Sequence, residues 1–222
     1  MTFTFELTAF APLFGYASAV LSVIAFAPYI YNTLRGRTVP QRASWLVWSV
    51  LSAIAFWAQL HEGASASLWF TGVQVVGATT VFLLSVFCGK GLYFRPFEYF
   101  GLCAAAVGLG LWYYCDTAAY ALAITIGISL IGGLFTIHKA YLWPASETLG
   151  TWLLGTVAAT FGALSVAAMD PLLLAYPVYL VVLRVAISLA CLGGQLRQRF
   201  ASLEPVNAPQ RTRRPLGPAH MA

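Results

Sequence analysis

Seven stretches of 17 to 23 mostly apolar residues follow one another along this chain, at 9–31, 44–60, 67–88, 97–115, 117–137, 148–168 and 172–194. No other feature narrows the fold as much. A helix needs about 20 apolar residues to cross roughly 30 Å of hydrocarbon, and each stretch can do so with some tilt. Lipid offers backbone groups no water to bond, so each crossing segment must satisfy them internally as a helix. The pattern predicts an all-α, polytopic membrane protein with seven transmembrane helices. Composition agrees, since 60% of the 222 residues are hydrophobic and 9% charged, against about 25% charged in soluble domains. The leader MTFTFELTAF lacks a basic region, so the first stretch reads as a retained helix, not a signal peptide.

The loops set the expected orientation. Arg35, Arg37 and Arg42 follow the first stretch, Lys90 and Arg95 the third, Lys139 the fifth, and Arg197, Arg199, Arg211, Arg213 and Arg214 the seventh. The alternate side carries only Glu6, His61, Glu62, Asp116 and Asp170. Cytoplasmic loops collect Lys and Arg, so the N-terminus is expected outside and the C-terminus in the cytoplasm of a multi-pass cell-membrane protein. The net charge of +5 is then a topology signal and not a nucleic-acid surface. Residues 195–222, polar, basic and with four prolines, read as a disordered cytoplasmic tail.

Two segments look alike. Ile24–Trp48 reads IAFAPYIYNTLRGRTVPQRASWLVW and Leu130–Leu154 reads LIGGLFTIHKAYLWPASETLGTWLL. Each ends a helix, passes through a short basic linker with a proline, and opens the next helix near a hydroxyl residue and Trp. Pairing Trp45 with Trp152 sets an offset of 107, which also pairs Trp69 with Tyr176. The chain therefore divides into a first three-helix bundle at 1–88, a linker helix at 89–116 and a second three-helix bundle at 117–194, a 3+1+3 parallel repeat. Pro40 and Pro144 are expected to interrupt the helices. Ser44, and Ser146 or Thr148, are expected to cap the next ones, with Trp45 and Trp152 near the membrane–water boundary.

This arrangement resembles the PQ-loop, SWEET and SemiSWEET superfamily of small transporters, over residues 9–194. The local match is Pro28 near the end of the first helix, Asn32 a turn later, a short basic loop, and a helix opening at Ser44–Trp45. The Pro-Gln pair would fall at Pro28–Tyr29, where glutamine is absent, and the second unit has Phe135–Thr136 there. GRTVPQRASW and TIHKAYLWPASETLGTW are similar to an uncharacterised prokaryotic seven-helix branch. The resemblance implies two three-helix bundles, an N-terminus outside, and transport.

Arg184 is the sharpest single residue, because an arginine deep in an apolar helix costs about 2.5–3.5 kcal/mol on insertion scales. It is expected to face the bundle interior and to meet a substrate or a structural partner. Gln74 lies mid-span and can bond across helices or read a polar solute. Asn32 suits either a cytoplasmic gate or a helix C-cap, and His138, beside Lys139 and near Glu147, suits a gate that titrates near neutrality. Trp48, Trp152 and Tyr179 supply aromatic walls, and Pro28 and Pro177 supply kinks that can serve as hinges. The expected substrate-binding set is thus Arg184, Gln74, Asn32, Trp48, Trp152 and Tyr179, with Pro28, Pro177 and His138 as gating positions.

No carboxylate sits centrally in a span, and no HExxH, P-loop or nucleophile–base set appears. Cys88, Cys103, Cys115 and Cys191 have no metal spacing and read as small apolar residues. The expectation is a carrier, not an enzyme, with no cofactor and no metal. Its partners are the bilayer and a polar or anionic small solute, not nucleic acid, with self-association left open. The alternative is a non-transporting sensor, scaffold or accessory subunit.

Overall fold

A computed structural model describes residues 2–88, 118–166 and 170–203, together with Tyr99, Cys103, Ala106, Val107, Gly110 and Tyr114. The described elements are helical: α1 (Thr2–Leu34), α2 (Arg42–His61), α3 (Ser67–Phe87), α4 (Ala118–Leu142), α5 (Leu149–Leu164) and α6 (Pro171–Leu203), with a 3-10 turn at Pro144–Ser146. Five of them are long and apolar enough to cross a membrane, at Ala9–Leu34, Arg42–His61, Ser67–Phe87, Leu122–Leu142 and Pro171–Ser202. The sixth, α5, is apolar but has only 16 residues. The stretch expected at 97–115 and the tail at 204–222 lie, but for a few residues of the former, outside the described residues.

Each helix has two principal neighbours. α3 packs on α1 and α2, α6 packs on α4 and α5, and the ring closes where α1 meets α5 and α2 meets α4. The outer face is apolar. Leu13, Val76, Val182 and Leu189 are each more than 60% exposed, an arrangement that water penalises and lipid does not. Polar residues point inward instead: Ser22, Gln74, Ser129, Thr136, Thr151 and Arg184 are all buried. The chain is a helical, membrane-embedded protein.

Local chemistry explains the helix ends. α1 stops at Gly36, whose φ of +72° suits glycine. Gly36 N–H donates to Thr33 O and Arg37 N–H to Asn32 O, the paired bonds of a Schellman end. Gly63 ends α2 in the same way, with Ala64 N–H on Gln59 O. Asp170 caps α6, its Oδ1 accepting from Leu172 and Leu173 N–H at 2.7 and 3.2 Å.

Several sequence expectations change here. Ser44 does not cap α2, since the helix begins at Arg42 after Gln41, and the Ser44 hydroxyl donates to Gly132 O at 2.7 Å. Thr148 precedes α5 without a side-chain cap, its hydroxyl being shared with Thr38 at 2.6 Å. Trp45 and Trp152 are each 4% exposed and face the inside of the ring. Their hydrogen-bond partners and neighbouring rings lie inside the bundle. The disorder expected from 195 onward gives way to helix as far as Leu203. A Cβ at Gly194 would collide with the Tyr141 carbonyl, so glycine lets α6 approach the end of α4 there. One turn on, Arg197 donates to Tyr141 O and Leu142 O and lies over the Tyr141 ring at 4.8 Å. That pairing of a cation with the last α4 carbonyls prolongs the helix.

Candidate functional site

The inward residues meet at a cavity in the middle of the ring. It is lined by polar Ser22, Gln74, Thr151 and Arg184 and by an apolar wall that includes Phe26, Trp45, Trp48, Trp152, Tyr176 and Leu180. The space open to the centre of a water-sized sphere is ≈ 40 Å³. Each polar group comes from a different helix: Ser22 from α1, Gln74 from α3, Thr151 from α5 and Arg184 from α6. Ring closure alone brings them together, across 52 to 110 residues of chain in the bonds they form.

Arg184 organises the polar wall. Its Nη1 donates to Gly155 O at 2.5 Å and its Nη2 to Gln74 Oε1. Arginine can only donate, so this bond settles which end of the Gln74 amide faces it. The other end, Nε2, donates to Ser22 Oγ at 3.0 Å. Gly155 leaves the room: a Cβ there would stand 3.1 Å from Nη1 and 3.2 Å from Cζ. Among the described residues no carboxylate pairs with Arg184, the ion pair found there being Lys139–Glu147.

Packed clusters flank the cavity at both ends. Toward the linkers stand Tyr29, Trp45, Trp48 and Trp152. Trp152 has its ring centroid 6.0 Å from Tyr29, 6.2 Å from Trp45 and 5.9 Å from Trp48. Trp45 Nε1 donates to the Tyr29 hydroxyl at 3.2 Å, and Trp152 Nε1 to Glu147 Oε2 at 3.0 Å. Toward the other end Leu51, Phe70, Ala158, Tyr176 and Leu180 close together.

Beyond the aromatic layer the two linkers interlock. Val39 N–H donates to Ser146 O at 3.2 Å, Asn32 Nδ2 to Thr148 Oγ1 at 3.3 Å, and Lys139 Nζ to Val39 O at 2.5 Å. Lys139 also pairs with Glu147 at 2.6 Å, both side chains being under 5% exposed. Lys139 is therefore a buried residue of α4, not the exposed loop cation that loop parity assumes. Arg42 likewise begins α2, with Nε donating to Ser85 O at 2.9 Å at the end of α3.

Of the expected site residues, Arg184, Gln74, Trp48 and Trp152 line the cavity. Asn32 instead joins the linkers. Tyr179 shares a hydrogen bond with Ser129 at 2.5 Å and packs against both clusters, outside the lining. His138 is exposed on α4, and the adjacent buried residue is Lys139. Pro28 and Pro177 lie inside α1 and α6, as does Pro12 in α1. Local pattern does not single out Ser22 or Thr151 as lining residues. The 107-residue offset pairs Ser22 with Ser129 and Ser44 with Thr151, all buried. Trp69 and Tyr176, paired by the same offset, differ in environment: Trp69 is 54% exposed and Tyr176 is buried, with Phe70 as its ring neighbour at 6.5 Å. No family model, curated protein or solved structure matches the chain.

Proposed function

We propose that this chain is a small-molecule carrier of the cell membrane, which alternates access to the central cavity by moving two three-helix units. In this reading α1, α2 and α3 form one unit and α4, α5 and α6 the other, joined by a linker helix within 89–116. The N-terminus lies outside and the solute is polar or anionic. The observation that carries it is the cavity itself, a pocket with one polar and one apolar wall at the seam between the units, with packed layers on either side. The order of neighbours supports the repeat. The third helix stands between the first and second in both triples, and α1 meets α5 as α2 meets α4. A shift of 107 residues maps each of these pairings onto another. The resemblance to PQ-loop and SWEET proteins points the same way.

Opening toward the linkers requires the Val39–Ser146, Asn32–Thr148 and Lys139–Val39 bonds to part. Pro28 and Pro177, inside α1 and α6, are then natural places for the units to flex. A second reading, a non-transporting sensor, scaffold or accessory subunit, draws on one observation: Arg184 already has a carbonyl and an amide as partners. The test uses purified protein in liposomes and uptake of labelled polar and anionic solutes. In a background without native cysteines, Val39→Cys with Ser146→Cys ties the linkers. Oxidation should stop uptake and reduction restore it. If no solute moves, or if the cross-link changes nothing, the carrier reading is wrong.

A further inference from the structure

The cavity has more donors than acceptors. Of the five N–H groups of a guanidinium, Arg184 places one on Gly155 O and one on Gln74 Oε1, leaving three without a protein acceptor among the described residues. Thr151 lines the same cavity, and its hydroxyl is buried with no partner among the described residues. Ser22 accepts from Gln74, so its own O–H remains to be given. Arg184 stays cationic in proteins, and no described carboxylate balances it. A buried cation held by neutral dipoles alone bears a desolvation cost that a counter-charge offsets.

A neutral solute rich in hydroxyls would find acceptors in the Thr151 and Ser22 oxygens but would leave the Arg184 charge unbalanced. An oxyanion brings acceptors only, and a planar one fits the guanidinium edge with two parallel bonds. One positive charge balances one negative charge. The ≈ 40 Å³ open to the centre of a water-sized sphere is far below the several hundred Å³ of sites for drug-sized ligands, so the ligand is small. The wall of Phe26, Trp45, Trp48 and Leu180 suits a short apolar end.

We propose that the central cavity is a binding site for one small, singly charged planar oxyanion, held by the free N–H groups of Arg184 and the hydroxyls of Thr151 and Ser22. The site is the substrate site of the carrier reading above and rests on it for its meaning in transport, though not for binding. Two sources share this chemistry, short monocarboxylates and inorganic planar oxyanions.

Trp45, Trp48 and Trp152 line the cavity, so intrinsic fluorescence of the purified full-length protein reports occupancy. Sodium formate, acetate and nitrate are titrated at constant ionic strength, beside neutral acetamide and divalent sulfate. A saturable change with the monovalent anions and none with acetamide or sulfate is expected. A preference for acetate over nitrate assigns the carboxylate source, and the reverse order the inorganic one. Thr151→Val keeps shape and removes a hydroxyl, and should weaken binding about tenfold. Arg184→Met should weaken it about 100-fold or more. Should that variant fail to fold, Thr151→Val still decides. Acetamide binding as well as acetate, no saturable response, or unchanged affinity in Thr151→Val overturns the proposal. The same protein in phosphatidylethanolamine–phosphatidylglycerol vesicles separates the two readings. Anion binding without flux keeps this site and rejects the carrier, whereas flux of a neutral solute without anion binding keeps the carrier and rejects this site.

Discussion

The buried Lys139–Glu147 pair allows a quantitative test of how the linkers are held. Its charged atoms are 2.6 Å apart, and the two side chains are 4% and 1% exposed. At an effective dielectric constant of about 20 the attraction is about 6 kcal/mol before desolvation is subtracted. Glu147→Gln would strand an ammonium whose remaining described bond is to Val39 O. Lys139→Met would strand a carboxylate left with the Trp152 Nε1 bond and the neighbouring Tyr29 hydroxyl. Breaking a buried pair from one side costs about 3–5 kcal/mol, because a charge stays behind without its partner. The double variant leaves no charge, and the amide oxygen of the introduced glutamine can still accept from Trp152. Its cost should therefore fall well short of the sum of the singles, giving a coupling energy of about 3–5 kcal/mol. Unfolding titrations of the four proteins in mixed detergent micelles measure this. Coupling below about 1 kcal/mol, the range of exposed pairs, would refute the claim that a buried pair clamps the linkers.

Two further outcomes follow from the geometry. A Cβ at Gly162 would lie 2.7 Å from the Phe70 ring, whereas one at Gly150 meets nothing within 4 Å. Gly162→Ala should thus destabilise by about 1–3 kcal/mol through overpacking, and Gly150→Ala should be neutral or stabilise by up to about 1 kcal/mol through helix propensity, both read by the same unfolding assay. Arg37 and Glu62 are exposed at opposite ends of α2. With the proposed orientation, a membrane-impermeant maleimide should label Glu62→Cys in intact cells, and Arg37→Cys only after permeabilisation; the reverse pattern would invert the topology.

Apolar length and loop charge are local properties, and they sufficed for the all-α class, the membrane setting, and the expectation that Arg184 and Gln74 face inward. Both do, because a charge or amide in a hydrocarbon-length helix has nowhere else to go. Local patterns could not say which way the aromatics face. Ring closure turns Trp45 and Trp152 onto Tyr29 and each other. Lys139 looks like a loop charge, but its partners, Val39 and Glu147, exist only once the linkers cross. Ser44 and Thr148 look like caps, but their hydroxyls find partners on distant segments.

What the amino-acid sequence determined by itself was where the chain must be helical and which few residues lipid would not tolerate on the outside. What only the tertiary structure decided was their company: a cation, an amide and two hydroxyls from four helices around one small cavity. The physical reason is range. Hydropathy acts on a single helix against its solvent, whereas the surplus of donors around Arg184 arises only when six helices close a ring and leave those groups without enough acceptors.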